Sequence, residues 1–259
     1  MNILFLGDCV GKRGREVIRD LLPSLKEKYN IDFTIANGEN SAHGKGITSR
    51  IYNELISYGI DVITMGNHTY SKKELLDSIS SMDKLIVPNN INDKIGQGYR
   101  IFEVNNLKFC VSNILGQVMM GEYMSDPYIS FQDILDHTKA DIYFVDFHGE
   151  ATAEKRIFAE YFGKAVQVVV GTHTHIQTAD ESILNGNTAF ISDVGMCGPY
   201  NSIIGRSIDE SIRRTVLKEN THYTIDESEP ILCGVVINID DNTCKPTKIE
   251  RIQIRPDEH

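Results

Sequence analysis

The sequence predicts an α/β protein, a sandwich of two mixed β-sheets flanked by helices. Three observations lead there. Short apolar runs rich in β-branched residues alternate with segments of helical spacing, the pattern of βαβ units around a largely parallel sheet. Two further pairs of strand-like runs are joined by tight polar turns, so antiparallel hairpins sit beside that sheet. The composition, 41% hydrophobic and 24% charged over 259 residues, is that of a folded chain with a sizeable core. Twenty Gly and seven Pro are too few for a collagenous or low-complexity chain, and disorder is excluded as well. A single domain over 1–259 is expected, with room for a small lobe over about 72–130.

Taken in order, Asn2 to Leu6 reads as a buried strand. A helix follows from Arg15, with Val17, Ile18, Leu21, Leu22 and Leu25 at helical spacing. Phe33 to Ala36 is the second strand, and Ser49 to Tyr58 a helix that Thr48 is placed to cap. Asp61 to Met65 is a strand and Lys72 to Ile79 a helix. Tyr99 to Val104 and Leu107 to Ile114 form a hairpin about Asn105-Asn106. Strands follow at Ile142 to Phe147, Val166 to Val170 and Thr188 to Ile191, with a helix from about Ala153 to Phe162. A second hairpin, Ile231 to Ile239 and Lys248 to Ile254, turns at Asp240-Asp241-Asn242. The stretches from Gly116 to Pro127 and from Gly195 to Arg206 read as long loops, which often carry function.

Charge and cysteine content narrow the function. Lys+Arg 26 against Asp+Glu 36 gives a net charge of −10, so an extended duplex-binding surface is not expected. A small anionic substrate remains compatible if a local cation outweighs the global field. The five cysteines (Cys9, Cys110, Cys197, Cys233, Cys244) are scattered and odd in number, which argues against a disulfide framework or a cysteine-rich zinc site. No apolar run approaches the ~20 residues of a membrane span, and the amino terminus lacks the basic leader of a signal peptide. A reduced, soluble, cytoplasmic protein with no membrane partner is expected.

The informative residues fall where strands end. Gly7-Asp8, Asn37-Gly38-Glu39-Asn40, Gly66-Asn67-His68, His148-Gly149-Glu150 and Gly171-Thr172-His173-Thr174-His175 each follow a predicted strand. That edge of an open α/β sheet is where ligands bind, and glycine there permits a tight turn or a close approach. Singly, each residue has an ordinary structural explanation: Asp8 as a cap, the asparagines as loop residues, His68 as a surface histidine. Glu39, between Gly38 and Asn40, is the hardest to explain in that way. Together they favour a metal site. Oxygen and imidazole donors without cysteine suit Mn²⁺, Fe²⁺ or Zn²⁺. Seven candidate ligands (Asp8, Glu39, Asn40, Asn67, His148, His173, His175) exceed what one tetrahedral ion needs, so two ions are expected with Glu39 between them. Two divalent cations against Asp8, Glu39 and one hydroxide leave a net positive centre, able to hold an anionic phosphodiester in an acidic protein.

At this point the chain resembles the calcineurin-like metallophosphoesterases, through Gly7-Asp8, Gly38-Glu39-Asn40, Gly66-Asn67-His68 and Gly171-Thr172-His173-Thr174-His175. Val10 stands where that superfamily has a histidine, and Glu39 where it has an aspartate. Those departures match a narrower branch, the bacterial YmdB-type phosphodiesterases. Gly7 to Arg15, Ala36 to Asn40, Asp146 to Thr152 and Asp193 to Met196 resemble that branch throughout, with Cys9 and Arg13 fitting less closely.

The resemblance implies a metallophosphoesterase α/β sandwich over nearly the whole chain. It implies that one metal takes Asp8, Glu39, Asn40 and His175, and the other Glu39, Asn67, His148 and His173. His68 is then the proton donor to the leaving oxygen rather than a ligand. The metals are two divalent or mixed-valence ions, iron or manganese before zinc. The substrate is a small phosphodiester, notably a 2′,3′-cyclic nucleotide, attacked in line by a hydroxide between the metals, and the protein is a homo-oligomer. Two other readings remain: another dimetal hydrolase, such as a phosphomonoesterase or amidohydrolase, and a noncatalytic regulator with a structural metal site. The roles of Lys12, Arg13 and Arg15, of Asp146 and Glu150, and of Met119, Met120, Tyr123 and Met124 stay open.

Overall fold

The computed structural model describes residues 1–121, 124–222 and 224–258. The chain begins with β1 (Asn2–Leu6), β2 (Asp8–Cys9) and α1 (Gly11–Tyr29). Next come β3 (Phe33–Asn37), α2 (Ser49–Ser57), β4 (Val62–Thr64) and β5 (Leu85–Ile86). The hairpin of β6 (Tyr99–Val104) and β7 (Leu107–Leu115) leads to α3 (Pro127–His137), β8 (Ile142–His148), α4 (Thr152–Tyr161) and β9 (Val168–Thr172). After β10 (Ser182–Leu184), β11 (Thr188–Ile191), β12 (Met196–Pro199) and α5 (Ile208–Thr215), the chain closes with the hairpin of β13 (Pro230–Asp240) and β14 (Lys245–Ile254).

These strands build two mixed sheets. The first runs β2-β12-β13-β1-β3-β4-β5, with β14 on β13, and the second runs β10-β11-β9-β8-β7-β6. Residues 72–130 supply β5 to one and β6 and β7 to the other. Alternation along each strand divides the core. Ile3 and Phe5 face the other sheet, where Phe5 meets Phe144 at 5.6 Å between ring centroids, while Leu4 and Leu6 pack with Val17, Ile18, Leu22 and Leu55 of α1 and α2. In β8, Ile142 and Phe144 lie between the sheets, and Val145 and Phe147 pack under α3 and α4. The first helix starts at Gly11, ahead of Arg15, and Thr48 caps α2 by accepting the Ile51 N–H at 3.2 Å.

One expected helix is absent. In place of a helix over Lys72 to Ile79 the chain makes 3₁₀ turns at Lys73–Leu75 and Ile79–Ser81, after one at Thr69–Ser71. Leu75, Ile79 and Met82 supply the apolar spacing that reads as helical. The Ser78 and Ser81 hydroxyls, however, donate to the nearby Leu75 and Ser78 carbonyls, which competes with helical hydrogen bonding. The loop expected over Gly195 to Arg206 contains β12, which pairs in parallel with β2. Met120 and Met124 fill a small core with Ile91 and Leu115, Met119 is exposed, and Tyr123 lies outside the described residues. No helix among the described residues is long and apolar enough to cross a membrane.

Candidate metal centre

The parallel strands β1, β3 and β4 of one sheet and β8 and β9 of the other deliver their C-terminal ends to one place. Two groups of side chains meet there. In the first, His148 Nε2 lies 3.2 Å from Glu39 Oε1, 3.0 Å from Asn67 Oδ1 and 3.1 Å from His173 Nδ1. Glu39, His148 and His173 each offer a ligand atom within 4.8 Å of the others. In the second, His175 Nε2 lies 3.2 Å from Asn40 Oδ1 and 3.9 Å from Asp8 Oδ1. Asp8 is fully buried, and its Oδ1 has no hydrogen-bond partner. His68 shares a cavity of about 200 Å³ with Glu39, Asn40, His173 and His175, and its backbone N–H donates to Glu39 Oε2 at 3.0 Å.

Two glycines of these motifs leave no room for a side chain. A Cβ on Gly66 would lie 2.2 Å from Glu39 Oε2 and 2.4 Å from His148 Nε2, and one on Gly171 would lie 1.8 Å from the Ser192 carbonyl oxygen.

The donor set fits divalent cations, and the hydrogen bonds behind it say why. The Thr172 hydroxyl donates to Asp146 Oδ1 at 2.6 Å and therefore accepts from His148 Nδ1–H at 2.8 Å. His173 turns its Nε2 towards Glu150 at 3.3 Å, and His175 donates its Nδ1–H to the Ile204 carbonyl at 2.8 Å. Each of these three histidines thus has an acceptor on its far nitrogen, which leaves a lone pair on the near one. Those of His148 and His175 aim at carboxylate and amide oxygens and that of His173 at His148 Nε2, so lone pair faces lone pair, which a proton or a metal cation reconciles. Protonation is the answer open to the chain alone. Burial opposes a charge on His148, yet Glu39 beside it prevails and pushes its pKa up to about 9. Burial likewise favours the neutral carboxyl of Glu39, but His148 holds it down at about 2. Burial and the neighbouring His148 lower His173 to about 3, and burial raises Asp8 to about 6 against the pull of His175 and His148. His68 is held below the ordinary imidazole value by burial, with Lys45 and Arg206 acting in the same direction and Glu39 against it.

Other residues support the centre, and one of them, Lys155, lies in none of the motifs. Lys155 of α4 is fully buried, donating to the Thr172 carbonyl at 2.8 Å and to Asp193 Oδ2 at 3.0 Å. The same Asp193 oxygen accepts the Thr174 N–H at 3.0 Å, between His173 (φ 105°) and His175 (φ 67°). A lysine on the stripe of Phe158, Ala159 and Phe162 is the readable signal for it. Asp146 accepts from Asn37 Nδ2 at 2.9 Å, Thr64 Oγ1 at 2.6 Å and Thr172. Arg15 is held by Glu54 and the Ser41 carbonyl, and Arg13 by Glu16 and the Glu227 carbonyl.

An α/β sandwich of two mixed sheets with carboxylate, amide and imidazole donors gathered at its C-terminal strand ends defines a metallophosphoesterase-like protein, a class whose architecture implies divalent metal ions. A profile of the YmdB-like proteins matches residues 4–252, and the chain belongs to that family. A 2′,3′-cyclic-nucleotide 2′-phosphodiesterase of Bacillus subtilis (strain 168) is 44% identical over 260 residues, spanning 99% of this chain and 98% of its own length. The crystal structure of a phosphatase from Mycoplasma pneumoniae superimposes with a TM-score of 0.94 at 37% identity, over 98% of this chain and 93% of that one. A hypothetical protein from Thermus thermophilus gives 0.92 at 30% identity, over 98% of each.

Proposed function

We propose that this protein is a dinuclear metal-dependent phosphodiesterase that opens 2′,3′-cyclic nucleotides. The observation that carries it is the set of imidazole, carboxylate and amide lone pairs converging beside His68, in a chain 44% identical to the Bacillus enzyme. One ion would be held by Asp8, Glu39, Asn40 and His175, and the other by Glu39, Asn67, His148 and His173, with Glu39 serving both. Iron or manganese is the assigned metal, and zinc the alternative. Bound there, the ions supply Lewis acidity, polarising the phosphoryl oxygens and making water acidic enough to attack phosphorus near neutral pH.

The chain's own residues do the rest. Thr172, Glu150 and the Ile204 carbonyl orient the three histidines. Attack by water breaks the bond between phosphorus and the ribose oxygen, a poor leaving group that needs a proton. His68 provides it from the wall of the cavity. The anionic substrate raises the proton affinity of His68 and so offsets the lowering by burial. General acid work of this kind contributes typically ~10²–10⁴-fold. The test is His68→Ala, assayed on a 2′,3′-cyclic nucleotide and on bis-p-nitrophenyl phosphate against the monoester, with metal content measured alongside. A slowing within that range with metals retained is the expected outcome. Loss of metal would make His68 a ligand, and monoester preference would make the protein a phosphomonoesterase.

A further inference from the structure

The cations Lys12, Arg13 and Arg15, which the metal centre does not use, lead to a second feature. Beside the metal cavity lies a cleft of about 630 Å³ lined by Lys12, Arg15, His43, Arg50, Lys72 and Lys73, with Glu74 as its one carboxylate. In a chain of net charge −10 this is a concentrated positive surface. Lys12 pairs with Glu16 and Arg15 with Glu54, whereas Lys72 and Lys73 form no ion pair among the described residues. The starts of two helices line the same cleft, and both run against the usual charge rule. Neither α1 nor α2 has an acidic residue in its first turn, α1 has no side-chain cap, and Lys12 and Arg50 of the cleft stand where the helix dipole is already positive. Like charges stacked in this way leave a field that an anion relieves. The cleft also adjoins the catalytic cavity. A Cβ on Gly46 would meet Lys72 Cγ at 3.0 Å and the His68 carbonyl at 3.4 Å, so Lys72 and His68 flank one glycine.

We propose that this cleft binds the backbone phosphates of a single-stranded ribonucleotide chain whose terminal cyclic phosphate occupies the cavity beside His68. The inference rests on the phosphodiesterase reading and extends its substrate from mononucleotides to strand ends. Among the described residues no Phe or Tyr lines the cleft, and His43 is its one ring against five Lys and Arg side chains, so phosphates rather than stacked bases dominate the contact and binding is largely indifferent to base sequence. The test compares a short oligoribonucleotide ending in a 2′,3′-cyclic phosphate with the corresponding mononucleotide as substrates of the metal-loaded enzyme. Fluorescence anisotropy of the same oligonucleotide ending in a 3′-phosphate measures binding without turnover. The expected result is a KM at least about tenfold lower for the oligonucleotide at low salt. In R50E/K73E that advantage is lost, and the salt slope of log K falls by about 1.4, or ~0.7 for each phosphate contact removed. Equal KM values, a variant that binds the oligonucleotide as the parent does, or tighter binding of a duplex than of the single strand would each overturn the proposal. If neither substrate is hydrolysed while the oligonucleotide still binds in this salt- and Arg50/Lys73-dependent way, the phosphodiesterase reading fails and the cleft stands.

Discussion

Replacing Lys155 by Met tests whether the buried pair behind the metal loop holds that loop in place. Lys155 and Asp193 are both fully buried with 3.0 Å between Nζ and Oδ2, and methionine fills nearly the same volume without the charge. The variant leaves Asp193 with only the Thr174 and Gly195 N–H groups, and the Thr172 carbonyl without its ammonium. Removing one partner of a buried pair costs about 3–5 kcal/mol, because the charge left behind has lost its counter-ion. For a chain of this size that is a fall in Tm of about 6–20 °C. A second effect is separable from the first. Asp193 anchors the backbone between His173 and His175, so loosening it weakens metal binding by about 10–100-fold. Urea unfolding with and without Mn²⁺ reads both: the metal-free difference gives the pair, and the metal increment shrinks by about 1.4–2.7 kcal/mol. A metal-free loss below about 1 kcal/mol would refute the first argument. A full stability loss with an unchanged metal increment would refute the second.

Other substitutions probe the same centre. Thr172→Val removes the hydroxyl between Asp146 and His148, and is expected to weaken Mn²⁺ binding about 10–100-fold by titration while the fold persists. Unchanged affinity would mean that the hydroxyl does not set the imidazole. Gly66→Ala places a methyl against Glu39 and His148, so metal content by elemental analysis should fall well below that of the parent; full occupancy would show that the ligands sit elsewhere. Stripping the metals should lower Tm by an amount that grows with the Mn²⁺ concentration added back, about 4 kcal/mol at a thousandfold excess over Kd. A Tm indifferent to metal would count against a bound divalent ion.

Much of the architecture was legible because period and punctuation agree. The alternation of Ile3, Phe5 against Leu4, Leu6 reads as a strand buried on both faces, and Asn105-Asn106, both with positive φ, marks the hairpin it closes. The spacing of Leu75 and Ile79 misleads because it fits both a helix and successive 3₁₀ turns, and only the serine-to-backbone bonds decide. The two-residue β2 and the four-residue β12 carry too few residues for any period to show. At the centre, the residues offered as ligands stand at strand ends and are visible one by one. What a linear reading could not supply is the hydrogen bonding behind them. Thr172 precedes His173 in an ordinary Gly-Thr-His run, and nothing local says that its hydroxyl serves His148, twenty-four residues earlier. The Ile204 carbonyl has no sequence signature at all, because its peptide is aimed by a positive φ of 48° on a β-branched residue.

The placement of the centre follows from one layer of the sandwich. On the inner faces Phe33 and Ile35 lead to Asn37, Val62 leads to Thr64, and Ile142 and Phe144 lead to Asp146, each step being one strand period. Asn37 and Thr64 are register partners in one sheet, and both donate to the Asp146 carboxylate of the other. Burial raises the Asp146 pKa, and the bonds from Thr172, Thr64 and Asn37 work against that rise. This polar layer caps the apolar core and ties the two sheets together. One further period along β8 is His148, whose imidazole the Asp146–Thr172 pair orients. On β3, in the other sheet, the chain turns after Asn37 to present Glu39, whose backbone N–H donates to the Asn37 side chain at 3.1 Å. The residues that join the sheets are therefore the ones that aim the metal-facing groups. Substitution of Asp146 is consequently expected to disturb cross-sheet packing and metal binding together, unlike Thr172→Val, which removes one bond to Asp146 but leaves its cross-sheet bonds from Asn37 and Thr64 in place.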